Sequence, residues 1–188
     1  MEMMETEKKL YTLIVHSENI AGVLNQVTAV FTRRQVNIES LNVSASSIKG
    51  IHRYTITAWS DGETIEKIVS QIEKKVDVLQ CRYFTDNEIF MQEVALYKVV
   101  TKVLMESPAM NDIIRKYGAK LIEVNQTFSV IEKTGRTDDI MALNEELTGQ
   151  GAMLQFVSSG RVAITRARIE HVNEYLDKVA EQYGIKNL

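Results

Sequence analysis

The stretch from Leu10 to Leu41 constrains the fold of this chain more than any other. Its first residues are rich in β-formers, and the polar run from His16 to Asn19 interrupts them with residue types typical of turns and helix caps. From Ile20 onward, apolar residues recur at helical spacing and predict one buried helix face. An extended pattern resumes at Val36. The stretch therefore predicts a strand, a tight turn, a helix and a second strand.

Glycine at position 22 suggests that something approaches the backbone where this helix begins. Glycine costs about 1 kcal/mol relative to alanine inside a helix, so its presence in the predicted first turn needs a reason. The amides of a first turn are free and carry partial positive charge, which suits a small carboxylate. Asn37, predicted on the incoming strand, offers an amide that both donates and accepts. Together with small apolar neighbours, these groups favour a free amino acid as the ligand.

Two motifs in this stretch resemble a known family. The first is E-N-x-x-G-x-L, from Glu18 to Leu24, and the second is V-N-I-E-S-L, from Val36 to Leu41. Together they resemble the ACT domain and, more narrowly, the small regulatory subunit of acetohydroxyacid synthase, also called acetolactate synthase. The segment from Lys75 to Leu79 is similar to the last ACT strand of that subunit. The likeness is specific in the N-terminal half of the chain and looser in the C-terminal half.

Gln35 departs from the family pattern, which usually has glycine before the V-N-I-E-S-L strand. Glycine is the residue that most easily caps a helix in the left-handed conformation. The replacement is expected to alter the exit from the helix without touching the proposed ligand groups.

The order of the predicted elements indicates an α+β protein with two tandem ferredoxin-like domains, each βαββαβ. Residues 1–85 are predicted to form the ACT domain, residues 86–92 a polar linker, and residues 93–188 a second ferredoxin-like domain. In the second domain a strand over 93–101 is expected, then a helix that begins at Ser107-Pro108, and later a helix capped by Thr137-Asp138-Asp139. A final helix with an apolar stripe is predicted from Ile169 to Tyr183.

Composition excludes several classes of function. The net charge is −3 with both signs mixed along the chain, so nucleic-acid binding has no electrostatic support. The single cysteine, Cys81, fits a reducing compartment. No apolar run is long enough to span a bilayer, and the charged start does not resemble a signal peptide. We therefore expect a cytoplasmic protein that binds neither nucleic acid nor membrane.

The sequence contains no constellation that predicts catalysis or a metal site. The histidines at 16, 52 and 171 are scattered and have no second ligand at metal spacing. Ser158-Ser159-Gly160 lacks the G-x-S-x-G pattern of a nucleophile elbow, and no phosphate-binding glycine loop is present. We expect no catalytic residue, no metal ligand and no cofactor in this chain.

The resemblance implies a non-catalytic regulatory subunit that forms a homodimer through its ACT domain and senses a branched-chain amino acid, with valine as the expected effector. It also implies a separate catalytic large subunit that holds thiamine diphosphate, magnesium and FAD. This chain is expected to activate that subunit and to confer feedback inhibition in branched-chain amino acid biosynthesis. The predicted ligand-binding residues are Asn19, Ile20, Ala21, Gly22, Val23, Leu24, Val36, Asn37 and Ile38.

Three questions stay open at this level. Asn37 could act on the site of its own chain or on that of the partner protomer. The sequence does not decide between valine, leucine and isoleucine, nor does it fix the stoichiometry with a catalytic chain. An alternative interpretation is a free-standing tandem ACT-type amino-acid sensor that acts on transcription through a protein partner.

Overall fold

Two antiparallel sheets organise the part of the chain that the computed structural model describes, which is residues 7–167. Within that part, residues 7–90 and 163–167 belong to a first structural unit and residues 91–162 to a second. The predicted final helix, Ile169–Tyr183, lies outside the described residues.

The first sheet has four strands in the order β2-β3-β1-β4. Its unit contains β1 (Lys9–Glu18), α1 (Val23–Arg33), β2 (Ser40–Ala45), β3 (Ile51–Ser60), α2 (Gly62–Glu73) and β4 (Val78–Phe84). This βαββαβ order with an antiparallel sheet is the predicted ferredoxin-like arrangement. Strands β2 and β4 form the two edges of the sheet.

The first core lies between one face of this sheet and its two helices. Alternate residues of β1 and β3, such as Leu13 and Ile56, are completely buried there. From α1, the residues buried in the same core are Val23, Val27, Val30 and Phe31. Their spacing puts them on one side of a helix, as the sequence pattern predicts. Ile20 and Leu24 were also expected on that face but are exposed: Ile20 precedes the helix, and Leu24 lies in its first turn.

Helix α2 begins at Gly62, with Asp61 as its cap. The Asp61 carboxylate accepts a hydrogen bond from the backbone N–H of Thr64 at 2.8 Å. This bond stabilises the charged carboxylate and lowers the pKa of Asp61.

The second sheet repeats the architecture, with strands in the order β6-β7-β5-β8 and a further strand, β9, paired with β5. The elements are β5 (Ile89–Val100), α3 (Thr101–Glu106), α4 (Pro108–Lys116), β6 (Lys120–Val124), β7 (Phe128–Gly135), α5 (Thr137–Gly149), β8 (Met153–Ser158) and β9 (Val162–Thr165). The main apolar residues of its core are Ala95, Tyr97, Val99, Leu104, Met110, Ile131, Ile140, Leu143 and Leu147. The tandem ferredoxin-like fold is therefore confirmed.

Three predicted boundaries in this half were wrong. Strand β5 begins at Ile89 rather than at 93, so residues 89–92 of the expected linker are in the strand. Helix α3 was not predicted; Ser107 separates it from α4 because a residue before proline is pushed out of the helical region. Helix α5 is capped by Arg136 rather than Thr137, whose hydroxyl donates to Glu93 instead.

Helix α1 ends in a left-handed cap at Gln35, the position where the family pattern has glycine. Gln35 has φ +55°, and its N–H donates to the carbonyl of Thr32 at 3.0 Å. The next N–H, of Val36, donates to the carbonyl of Phe31 at 3.1 Å. These two bonds form a Schellman motif, whose left-handed residue is usually glycine. The expectation of an altered helix exit was wrong: the chain keeps the glycine-type exit with glutamine in a strained conformation.

Replacing Gln35 by glycine should therefore stabilise the protein. The left-handed conformation costs a non-glycine residue about 1–2 kcal/mol, and the extra freedom of glycine in the unfolded chain offsets part of the gain. We expect the free energy of unfolding of Gln35→Gly to rise by about 0.5–1 kcal/mol in denaturant titrations.

The matched control is Gln26→Gly, the same exchange inside α1. It should lower stability by about 1 kcal/mol, because glycine is a poor helix former. If both variants lost stability equally, the strain assigned to Gln35 would be absent.

Candidate functional site

The turn between β1 and α1 is built around Gly22, which caps the helix in a left-handed conformation with φ +95°. The sequence predicted this glycine inside the first turn and a cap within the polar run that ends at Asn19; both predictions were wrong, since Gly22 itself is the cap and α1 begins at Val23. A Cβ at Gly22 would meet no atom within 4 Å. Glycine is thus required by the backbone conformation and not by lack of space.

This cap leaves backbone donors of α1 open. The N–H of Gln26 donates to the carbonyl of Gly22 at 3.2 Å, and that of Val23 donates to the carbonyl of Ile20 at 3.4 Å. Among the described residues, no acceptor meets the N–H groups of Leu24 and Asn25, and no side chain caps the helix. The first turn contains no acidic residue. Exposed amides at a helix N-terminus favour an anionic ligand.

Two neighbouring turns hold the β1–α1 turn in place. The N–H of Asn19 donates to the carbonyl of Gly50 at 2.8 Å, and the N–H of Glu18 donates to the carbonyl of Asp77 at 2.9 Å. The Asp77 carboxylate accepts a long hydrogen bond, 3.4 Å, from the Gln26 side chain. That carboxylate therefore contacts a side chain and leaves the first-turn amides open.

The predicted residues of this turn differ in what they can offer to a ligand. Asn19, Ala21 and Gly22 are exposed, and so are the apolar side chains of Ile20 and Leu24, which are 49% and 38% accessible. Val23, by contrast, is buried in the core and can reach a ligand only through its backbone. The turn thus combines open amides, one exposed carboxamide and a small apolar surface.

The second predicted group, Val36 to Ile38, lies at the other end of α1. These residues precede β2 rather than belonging to it; Asn37 is exposed, while Val36 and Ile38 are half-buried against the core. Helix α1 has 11 residues, so about 16 Å of helix separates Gly22 from this segment. One chain does not bring Asn37 and the open amides together.

Strand register fixes which end of β2 lies near the turn. Ala45, the last residue of β2, is opposite His52, and His52 is opposite Ser17 at the end of β1. Ser40, the first residue of β2, is opposite Thr57 at the far end of the sheet. The segment with Asn37 therefore enters the sheet at the end remote from Gly22.

A buried polar cluster in the second unit was missed by the sequence analysis. Glu93 and Arg161 are 7% and 5% accessible, and the Arg161 Nε lies 3.7 Å from a Glu93 carboxylate oxygen. The hydroxyls of Ser158 and Thr137 both donate to the same carboxylate. The sequence signal that could have revealed this cluster is Glu93 itself, a charged residue among the alternate, otherwise apolar positions of β5. The carboxylate is fully engaged, so the cluster ties three segments together and is not an open site.

Metal-ligating groups and the cysteine offer no further candidate site among residues 7–167. No group of three or more potential ligands lies together as a metal site anywhere in residues 7–167. Cys81 is buried, and its desolvation raises the pKa of the thiol, which disfavours a reactive thiolate. In the same residues no helix is long and apolar enough to cross a membrane.

Comparison with known proteins identifies both halves of the chain. A family model described as the AHAS small subunit-like ACT domain matches residues 13–80, and one described as the small subunit of acetolactate synthase matches residues 92–167. The acetolactate synthase small subunit of Bacillus subtilis is 34% identical over 160 residues, which are 85% of this chain and 91% of that protein. The small subunit of Haemophilus influenzae is 31% identical over 156 residues, 82% and 94% of the two chains.

A solved structure agrees with these relatives over most of the fold. The crystal structure of the acetolactate synthase small subunit from Thermotoga maritima matches with a TM-score of 0.76 at 26% identity. The match covers 86% of this chain and 99% of that one. The residues that form the Gly22 turn lie inside the matched ACT segment. On this evidence, the chain belongs to the acetolactate synthase small subunit family.

Proposed function

We propose that this chain is the non-catalytic regulatory subunit of an acetolactate synthase and that it binds valine at a seam between two copies of its ACT domain. The observation that carries the proposal is the left-handed Gly22, which leaves the amides of Leu24 and Asn25 open beside an exposed Asn19. Membership of the acetolactate synthase small subunit family supports a large subunit as the partner of this chain.

Each part of a free amino acid has a counterpart in this turn. The carboxylate would accept hydrogen bonds from the open amides of α1, where a negative charge gains about 0.3–1 kcal/mol from the helix dipole. Asn19 would orient the polar head, because its carboxamide both donates and accepts. A short branched side chain would rest on Ile20 and Leu24, which are exposed at this end of the helix.

The remaining polar group, Asn37, is proposed to come from the partner chain. Strand β2 is an edge of the sheet, and unpaired edges invite pairing with a second copy. If two β2 strands pair antiparallel about a two-fold axis, the start of one strand lies beside the end of the other. The partner's Asn37 segment would then reach the end of β2 that lies nearest the Gly22 turn. This arrangement supports two equivalent sites per dimer.

A ligand that binds between two small-subunit chains can change the activity of a catalytic chain that is bound to them. It shifts the placement of the two ACT domains only by the difference in its affinity for the alternative placements. Couplings of this kind are typically about 1–3 kcal/mol. We propose that this shift transmits feedback inhibition to the catalytic large subunit, which this chain otherwise activates.

The catalytic subunit is proposed to hold thiamine diphosphate, magnesium and FAD. Residues 7–167 of this chain offer no cluster of metal ligands for such a centre. We further propose that residues 1–85 act as the sensor domain and residues 93–188 as a second domain. The limits of the two family-model matches, 13–80 and 92–167, support this division.

Gly22→Asp should abolish the valine response of the reconstituted holoenzyme. The new carboxylate would stand at the anion site, and aspartate tolerates a positive φ better than most residues. We expect the valine concentration for half-maximal inhibition to rise at least 100-fold, measured as acetolactate formation from pyruvate. The large subunit should still be recovered with the variant in a pull-down.

Gly22→Asn is the matched control, because it has the same shape and backbone strain without the charge. It should retain much more of the valine response than Gly22→Asp. If valine inhibited the two variants equally, the proposed anion site at the start of α1 would be wrong. Failure to recover the large subunit even with the unaltered chain would favour a free-standing sensor instead.

Mixed dimers test whether Asn37 acts across the seam. One chain carries Gly22→Asp and the other Asn37→Ala, with different affinity tags. If the site is shared, one site receives both changes and the other none, so calorimetry should detect one valine per mixed dimer. The two parent homodimers should bind none.

A reversed pairing provides the control. When both changes are in one chain and its partner is unaltered, each shared site has one defect and binding should be lost. One valine bound in this second dimer, and none in the first, would place Asn37 on the site of its own chain.

A further inference from the structure

The residues proposed above to bind valine leave one of its two charges without a partner. A free amino acid carries a positive ammonium as well as a negative carboxylate, and the open amides at the start of α1 meet only the carboxylate. None of the residues proposed to bind the ligand has an ionised side chain. An ammonium that leaves water without a negative partner loses free energy. A site for the whole zwitterion therefore needs a carboxylate close to the start of α1.

Two carboxylates lie in the turns at this end of the first sheet, those of Glu18 and Asp77. The N–H of Glu18 donates to the carbonyl of Asp77 at 2.9 Å, so the two backbones lie side by side. The first turn of α1 contains no acidic residue, and neither does the turn between β2 and β3, residues 46–50. The choice of a partner for the ammonium is thus between these two side chains.

Glu18 and Asp77 direct their carboxylates to opposite sides of the sheet. The Ser17 hydroxyl donates to the hydroxyl of Tyr54, a core residue, so the side chain of Ser17 is on the side of the helices. Successive side chains of a strand point to opposite faces, which directs Glu18 away from the helices. The Asp77 carboxylate, by contrast, accepts a hydrogen bond from the side chain of Gln26 in α1. Only Asp77 shares the helix side of the sheet with the open amides.

The contact with Gln26 places the Asp77 carboxylate beside the first turn of α1. Side chains of a helix tilt toward its N-terminus, so the Gln26 carboxamide leans over the turn that contains the open amides. Its Nε2 lies 3.4 Å from Oδ2 of Asp77, and within residues 7–167 the carboxylate makes no other hydrogen bond. The preceding residue, Val76, is 96% accessible. The carboxylate is therefore held by one long bond in an open turn and can accept hydrogen bonds from a ligand.

We propose that the Asp77 carboxylate binds the ammonium of the amino acid whose own carboxylate occupies the open amides of α1. This assignment rests on the proposed valine site and supplies the counter-ion for its second charge. An ammonium has three donors, so Asp77 and Asn19 can both accept from it. Hydrogen bonds between ionised groups are roughly twice as strong as neutral ones, which makes Asp77 the main contact of the ammonium.

This arrangement predicts which class of small acid the site accepts. A carboxylate next to the anion site repels a ligand that carries only negative charge. The 2-oxo acid and the 2-hydroxy acid with the carbon skeleton of valine have the same carboxylate and branched side chain but no ammonium. The site would therefore respond to the amino acid and not to the 2-oxo acid from which transamination makes it.

Calorimetric titration of the full-length chain with two ligands tests the assignment. The ligands are valine and (S)-2-hydroxy-3-methylbutanoate, in which a hydroxyl replaces the ammonium. Asp77→Asn removes the charge and keeps an oxygen for Gln26, while the backbone carbonyl still accepts from Glu18. We expect the Kd for valine to rise about tenfold or more, since a hydrogen bond to a charged group is lost. The Kd for the hydroxy acid should stay the same or fall, because a repulsive charge has been removed.

Three further variants serve as controls. Glu18→Gln makes the same change of charge on the other side of the sheet and should leave both dissociation constants unchanged. Asp77→Glu keeps the charge and should retain the preference for valine. Asp77→Ser lacks the charge and should lose that preference as Asp77→Asn does, so the test does not depend on the stability of one variant.

The outcomes separate this assignment from the valine site itself. If Asp77→Asn weakened both ligands equally, Asp77 would have only a structural role. If Glu18→Gln removed the preference for valine and Asp77→Asn did not, the wrong carboxylate would have been assigned. If the unaltered chain bound both ligands equally, the amino-acid site would remain and only the counter-ion would be wrong. If it bound neither ligand, the proposed function would fall and the role of Asp77 with it.

Discussion

The left-handed conformation of Gly22 is the constraint on which the functional reading of this chain depends. It starts α1 without a side-chain cap and leaves two amides without acceptors among the described residues. A side chain that capped the helix would satisfy the same donors and close the site. Here the neighbouring turns hold the backbone in place through Gly50 and Asp77 while the donors stay open. Hydrogen bonds from neighbouring turns hold this backbone in place, and the N–H donors of the first helical turn stay available to a ligand.

The proposal of a site shared between two chains rests on the geometry of the sheet. The open amides and Asn37 lie at opposite ends of α1, a separation set by the 11 residues of the helix. Edge strand β2 offers a way to join them, since antiparallel pairing of two copies reverses the direction of the strand. The other face of the sheet is buried along its centre. The first unit thus packs its core on one face of the sheet and, under the proposal, would use the β2 edge to pair with a second copy.

Much of the fold could be predicted because apolar periodicity directly reports which side of an element is buried. The elements of the first unit follow from local patterns, and so does the order of elements along the second unit apart from α3. Boundaries were misplaced where one residue type is compatible with two different local structures. Gln92 looked like linker but occupies an exposed alternate position of β5, and Thr137 looked like a cap but bonds a buried carboxylate.

The geometry of the candidate site could not be predicted from the sequence. The sequence singled out Gly22 as a first-turn residue and missed its left-handed cap conformation, because a positive φ leaves no trace in apolar spacing. Val23 was expected to offer apolar surface to a ligand, but its side chain lies in the core on the same helix face as Val27 and Val30. The Glu93–Arg161 cluster joins residues far apart in the chain, and no local motif marks such a contact.

The most direct test of the shared site is the effect of valine on dimerisation, measured by sedimentation equilibrium at concentrations that span the dimer dissociation constant. Ligand that binds only the dimer, at two sites, stabilises it by mass action at both. We expect the dissociation constant to fall with the square of the valine concentration once the sites approach saturation. Valine that binds the monomer with equal affinity and leaves dimerisation unchanged would contradict a site built from two chains.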